Sequence, residues 1–429
     1  MGSWVVEVQA TKSIYKVPPF ISKTNKTAYK PRLVSFGPYH HGDPQLAWME
    51  AHKKRAHLCF INRSGRNEQE VYDIVAEKAQ DLKDSYDSLD SKWQDNTEIF
   101  VQMMILDGCF MFEVLHVSQH YDYYSDYDPV FGPHGNAHVM HLIKADMLLL
   151  ENQLPMLLLR MLIGILRKNE EPALPLQLLD PKPDKFPQMG KCLHVLDLYR
   201  KGLLQPCNEH GNAAPQSANQ GEGDPKMGKY LHKLHLCWKR LLHPHNKLGY
   251  AVQNQTEENN KTVGHNVLRP ATELHQAGVS FKISKGLQDI SFDVDCGVLK
   301  LPNFLVEDLT ESIFLNIIAF ERCHVGSGSG FTSFVAFMDC IVDDSEDIKL
   351  LSSNGIIDNF IGTDKEAAEL FNTLAKDLII STDELLKVYE DLINYSNKRR
   401  NKWRANLIQT YFKNPWAIVS VIAAFFNLN

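Results

Sequence analysis

Two stretches of this chain, residues 101–117 and 147–166, are apolar around almost their whole circumference, yet each carries polar residues at its heart. A helix that is apolar all round has no face to offer to water, so both stretches are expected as helices at the centre of a bundle. In the first, Asp107-Gly108 stands between Met103-Met104-Ile105-Leu106 and Cys109-Phe110-Met111-Phe112; in the second, Glu151-Asn152-Gln153 stands between Leu148-Leu149-Leu150 and Leu154-Pro155. An unpaired carboxylate in such a core costs several kcal/mol unless it is bonded or protonated. Asp107 and Glu151 therefore carry two readings, an acid/base pair in a pocket or an internal network that holds the helices in register. No His, Ser or Lys accompanies them at a recognisable catalytic spacing, which favours the network.

The rest of the chain is organised around these runs. Asp43 can cap and Pro44 fits a first helical position, ahead of Leu46, Met49, Lys53, Ala56 and Phe60 at helical spacing. Residues 121–135, rich in Tyr, Asp, Gly and Pro, read as a connecting loop. Five prolines between Pro172 and Pro187, then the Gly, Asn and Gln of residues 208–228, mark a loose insert that holds two amphipathic pieces, 193–204 and 230–242. From Val279 the apolar period falls to two (Val279/Phe281/Ile283, Ile290/Phe292/Val294, residues 298–301), which predicts a small antiparallel β-meander. Helices are expected over 308–323 and 345–354, behind a capping box at Thr363-x-x-Glu366, and behind a second at Ser381-x-x-Glu384 that runs on through Trp403, Leu407 and Tyr411. The reading is a mainly α-helical protein: an N-terminal helical region (1–167), a variable insert with short helices (168–265), a β-meander with a helical module (266–413) and an apolar tail (414–429).

That tail follows a cationic collar, Lys398, Arg399, Arg400, Lys402 and Arg404, and begins at Asn414-Pro415-Trp416. Anionic headgroups attract such a collar and hydrocarbon accepts such a tail, so a membrane surface or bilayer is the expected partner. The apolar run 416–426 would rise only about 17 Å as a helix against a hydrocarbon core of about 30 Å, so it does not span one alone. The N-terminus lacks a basic region followed by an apolar core, and the position where a myristoylation motif wants Ser or Thr holds Val6. A membrane-associated protein with a cytosolic body is expected, with a soluble cytosolic protein as the alternative.

Other chemistry is thinly represented. Formal net charge is −7 over 429 residues, which argues against a nucleic-acid partner. The eight cysteines form no CxxC pair, and Cys109, with His116 one face along, reads as a core thiol. His40-His41, His116/His120 and the looser set His232, His235, His243 and His245 lack a third metal ligand at fixed spacing. Gly326-Ser327-Gly328-Ser329-Gly330 lacks the Lys-Ser/Thr of a phosphate loop and reads as a turn. No cofactor or metal is expected. The competing reading is a soluble enzyme of unknown chemistry, built on Asp107, Glu151 and the His40-His41 loop.

Seven blocks stand in order along almost the whole chain: Ile14-Tyr15-Lys16-Val17-Pro18; Ala28-Tyr29-Lys30-Pro31 through Val34-Ser35-Phe36-Gly37-Pro38-Tyr39-His40-His41-Gly42; Met49-Glu50-x-His52-Lys53; Met104-Ile105-Leu106-Asp107-Gly108-Cys109-Phe110; Leu149-Leu150-Glu151-Asn152-Gln153-Leu154-Pro155; Ala271-Thr272-Glu273-Leu274 with Ala277-Gly278-Val279; and Asn414-Pro415-Trp416-Ala417. Together they closely resemble the plant "domain of unknown function 247" family, also filed as an uncharacterised UPF family. The resemblance implies a membrane-associated plant protein with a C-terminal transmembrane segment, no established enzymatic activity and, from members at loci of grass self-incompatibility, a recognition role. It carries over no catalytic residue, so Gly37, His40, His41, Asp107, Gly108, Glu151, Asn152 and Gln153 enter as motif residues of unassigned role. Arg399, Arg400, Lys402, Arg404 and Trp416 enter as the membrane-proximal set. Family members usually continue with apolar residues beyond the position of Phe426, where this sequence gives Asn427-Leu428-Asn429.

Overall fold

The computed structural model describes residues 12–23, 25–117, 124–166, 192–204, 268–376 and 378–407. The expected tail, with Trp416, and most of the insert lie outside the described residues. The fold is mainly α. Two compact units divide it, one drawn from Met1–Asn246 and Glu311–Gly328, the other from Lys247–Thr310 and Ser329–Asn429. In chain order the helices are α1 (Ala47–Ser64), α2 (Glu68–Ala76), α3 (Ala79–Asp84), α4 (Ser91–Asp95), α5 (Thr97–Val117), α6 (Pro133–His138), α7 (Met140–Asp146), α8 (Met156–Leu166), α9 (Val195–Leu204) and α10 (Ala271–Gln276). They continue with α11 (Thr310–Cys323), α12 (Gly330–Ile341), α13 (Ser345–Ser353), α14 (Asp364–Leu374), α15 (Asp383–Asn397) and α16 (Arg399–Leu407).

In the first unit α5 packs against α1, α2 and α8, as its all-round apolar sequence requires. Phe100, Met104, Phe110, Met111 and Val114 on it are fully buried. Asp43 accepts the Gln45 N–H at 2.9 Å and starts the turn Pro44–Leu46 that leads into α1. The buried stripe of α1 is Met49, His52, Lys53, Ala56 and Phe60, with Lys53 at 0 % exposure. Residues 147–166 are not one helix: 147–155 form a turn segment and α8 begins at Met156. Pro155 accounts for this, because the residue before a proline is pushed out of the α region.

In the second unit the three strands found in the sequence are present as β1 (Ser280–Ser284), β2 (Ser291–Asp293) and β3 (Val298–Pro302), but they are not an antiparallel meander. The order is β1-β3-β2, with β1 parallel and β2 antiparallel to β3. β3, whose Leu299 and Leu301 are fully buried, takes the central place and leaves the more exposed β1 and β2 at the edges. A second pair, β4 (Phe304–Val306) and β5 (Ile357–Asn359), is parallel. Phe304 lies edge-on to both Phe334 and Phe371, at 5.7 Å and 5.5 Å between ring centres, at the heart of this unit.

Helix ends in the second unit follow local chemistry with two exceptions. Thr363 and Glu366 form the expected capping box, and Asp344 forms one with Asp347. The box expected at Ser381-x-x-Glu384 is not formed: Thr382 is the first residue outside α15, and Ser381 instead bonds the hydroxyl of Ser333 at 3.2 Å. The last helix is likewise interrupted. α15 stops at Lys398, whose ψ of 136° is extended, and α16 restarts at Arg399; the Tyr395 carbonyl accepts both the Lys398 N–H at 3.2 Å and the Asn401 side chain at 2.8 Å.

Candidate functional site

Residues 31–42, most of the longest family-like block (28–42), have no helix or strand, yet Val34, Ser35 and Phe36 are at most 1 % exposed. Buried backbone without secondary structure must find partners for its N–H groups elsewhere. The Asp146 carboxylate, at the end of α7, accepts from the N–H of Arg32, Leu33 and Val34 at 2.9, 2.7 and 2.9 Å. Asn152 accepts from Phe36 at 2.7 Å, and Asp107 on α5 accepts from Gly37 at 2.8 Å. The Asn152 amide donates in return to the carbonyls of Val34 and Asp146, at 3.0 and 2.9 Å. Three side chains from two helices and a turn thus complete a segment that cannot complete itself.

Glu151 repeats this one block upstream. Its Oε1 accepts the Val17 N–H at 2.6 Å, and its Oε2 lies 3.3 Å from His40 Nε2. Gln153 ties the turn to its surroundings: its Nε2 donates to the carbonyls of Met147 and Leu149 at 2.6 and 2.8 Å, and its Oε1 accepts the Leu196 N–H at 3.0 Å. The Gln153 carbonyl accepts from Tyr86 Oη at 2.9 Å. Gly37 closes over these atoms with φ of +75°, and a Cβ there would sit 2.8 Å from Tyr86 Oη and 2.9 Å from the Gln153 carbonyl oxygen. Only glycine suits that combination. Gly108 has a different duty, since a Cβ on it would come within 2.7 Å of the Leu162 side chain and part α5 from α8.

Beneath the segment lies a buried cation. Lys53 Nζ forms ion pairs with Asp107 Oδ1 and Glu50 Oε1, each at 2.7 Å, and donates to Ser35 Oγ at 3.1 Å. Burial works to lower the Lys53 pKa, but the Asp107 and Glu50 carboxylates outweigh it and raise it. Burial raises that of Asp107, against the pull of Lys53 and the Gly37 N–H. Burial pushes Asp146 up to about 6, opposed by its three backbone donors. The Ser35-Lys53 contact is not a nucleophile with its base, because an ammonium held by two carboxylates does not accept the serine proton.

Asp107 and Glu151 have separate duties and do not form a shared acid/base site: one serves Gly37 and Lys53, the other Val17 and His40. His41 packs edge-on against Trp93, and burial lowers its pKa. Cys109 is fully buried, and burial raises its thiol well above the ordinary range. Among the described residues no group of three or more His, Cys, Asp or Glu side chains is placed to hold a metal ion. Of the collar, Arg399, Arg400, Lys402 and Arg404 lie on α16 in the second unit. Among the described residues no helix is long and apolar enough to cross a membrane.

Lys53, Asp146, Tyr86 and Ser35 complete the network without having been marked in the sequence as functional. For Lys53 a signal existed: a lysine on the apolar stripe of a helix must be paired if the stripe is buried. Asp146 offered none, since its three donors come from residues 112 to 114 positions away.

A profile of plant proteins of unknown function, DUF247, matches residues 14–429. The chain is similar to UPF0481 protein At3g47200 of Arabidopsis thaliana, 27 % identical over 96 % of this chain and 83 % of that one. It is also similar to putative UPF0481 protein At3g02645 of the same plant, 23 % identical over 98 % of this chain and 92 % of that one. No solved structure matches. The matched residues include every motif block that seats the buried segment, and this chain belongs to the DUF247 family of plant proteins.

Proposed function

We propose that this protein is a non-enzymatic interaction or recognition protein that works at a membrane surface, with its body on the cytosolic side. One observation carries the non-enzymatic part: the buried carboxylates and amide beneath residues 32–37 are taken up by backbone N–H groups. Asp107, Asn152 and Asp146 are at most 2 % exposed, and each accepts from the main chain of residues 32–37. A catalytic acid or base needs an approachable reacting atom, whereas these groups have the geometry of a scaffold. The membrane part is supported by the sequence of residues 414–429 and by the cations ahead of it, since positive residues resist translocation.

Fractionation of plant extracts tests it. Full-length protein is expected in the membrane pellet after a carbonate wash, and protein lacking residues 414–429 in the supernatant. Full-length protein in the supernatant would refute membrane residence.

A further inference from the structure

We propose that the outward face of α16, formed by Arg399, Arg400 and Trp403, is a docking surface for an anionic phospholipid bilayer, reading headgroup charge separately from the tail. This rests on the membrane reading above and names the lipid class it selects. The nine residues of α16 carry four cations and no acid, within a chain of net charge −7. Asn401 and Ala405, one turn apart, face inward at 4 % and 6 % exposure, whereas Arg399, Arg400 and Arg404 are exposed and Trp403 is 67 % exposed. Arg399 and Trp403 are four residues apart and Arg400 and Trp403 three apart, so they share a face.

Left in water, this helix works against itself. Two arginines in its first turn oppose the positive end of the helix dipole, and Arg400 and Arg404 repel at four-residue spacing. None of Arg399, Arg400, Lys402 or Arg404 forms an ion pair among the described residues. An anionic surface relieves both penalties at once. The face is also held firmly. Asn401 donates to the Tyr395 carbonyl, and the Arg404 and Tyr395 side chains lie close over Gly278 and Gly297. An exposed tryptophan flanked by arginines suits the headgroup layer, where the ring sits among lipid glycerols and the cations meet phosphate and carboxylate. The chain continues from α16 into residues 408–429, whose stretch 417–428 is almost wholly apolar, so bilayer and helix are close in sequence.

The test is co-sedimentation of the full chain with phosphatidylcholine vesicles and with phosphatidylcholine/phosphatidylserine vesicles. Arg399→Glu/Arg400→Glu is compared with a tail variant, Ile418→Asp/Val421→Asp. At about fivefold per arginine near an anionic surface, the α16 pair is expected to lower partitioning on the serine-lipid vesicles by at least about 25-fold, with an unchanged melting curve. Trp403→Ala is expected to lower it a few-fold. The tail variant is expected to weaken binding to both vesicles while keeping their ratio. If the tail variant detaches the protein but the α16 variant keeps the serine-lipid preference, the face is refuted and the tail reading survives. If only the α16 variant detaches it, the face stands and the tail reading falls.

Discussion

The two units seat irregular backbone with different means. Among the described residues, eight buried Lys, Arg, Asp or Glu residues (Lys53, Lys83, Asp107, Glu113, Lys144, Asp146, Asp197 and Arg200) belong to the first and one, Asp347, to the second. Asp347 does for α10 what Asp146 does for residues 32–34, accepting the N–H groups of Thr272, Asp343 and Asp344 at 2.8, 3.0 and 3.2 Å. Otherwise the second unit relies on capping boxes and on the Phe304, Phe334 and Phe371 cluster. Apolar packing responds to volume, and buried charge responds to pairing and to pH. The first unit is therefore the one whose stability depends on keeping particular partners in particular charge states.

The sharpest way to break this contrast is to orphan a charge. Asp107→Ala leaves Lys53 buried with Glu50 and Ser35 alone, and is expected to cost about 3–5 kcal/mol in chemical denaturation. Replacing both, Lys53→Met with Asp107→Leu, is expected to recover the part owed to the orphaned charge and to leave the cost of the unpaired Gly37 N–H, about 1–3 kcal/mol. If the double variant is no better than the single, the ion pair is not the source of the penalty. In the second unit Phe371→Ala is expected to cost about 3–5 kcal/mol through the cavity it leaves, with no dependence on pH.

Acid separates the units further. His194 is fully buried, with Nε2 3.0 Å from the Ser13 carbonyl and Nδ1 accepting the Asp197 N–H at 3.2 Å, so it is held neutral. Burial lowers its pKa to about 4, against 6.5 unfolded. Its contribution is therefore fully present above 6.5 and is lost as the pH falls towards 4. Between pH 6.5 and 5 the natural protein should lose about 1.5 kcal/mol more than His194→Gln, read as the difference between their unfolding free energies in denaturant. Asp146 acts with the opposite sign, since its raised value favours the fold below about 6, but it is common to both proteins and cancels in the comparison. The smallest effect belongs to a cap: Thr363→Ala should cost about 1 kcal/mol in the second unit, at any pH above the titration of Glu366.

Much of the second unit was readable locally because its devices are local. The Thr363 and Glu366 box and the acidic first turn of α13 lie within a few residues of their partners, and each of the three strands shows in the two-residue period of its own residues. The placement of β3 between β1 and β2 was not readable, since the two-residue period sets which face is buried and not which strand is the neighbour. In the first unit the stripe Met49, Lys53, Ala56 and Phe60 was clear, as was the need to satisfy Asp107 and Glu151. Their partners were not, because Gly37 and Val17 are 70 and 134 positions away and offer only backbone amides, which every residue has. Pro155 and Lys398 show a further limit: apolar content argued for continuous helices where a proline and a side-chain cap ended them.

Asp107, Asn152 and Asp146 together complete the backbone of residues 32–37, which has no helix or strand of its own. Native-state hydrogen exchange on the Phe36 and Gly37 amides tests this directly. Although they belong to no helix or strand, these amides should exchange only through global opening of the first unit, as slowly as those at the middle of α5. Exchange at the rate of an exposed loop while α5 stays protected would contradict it.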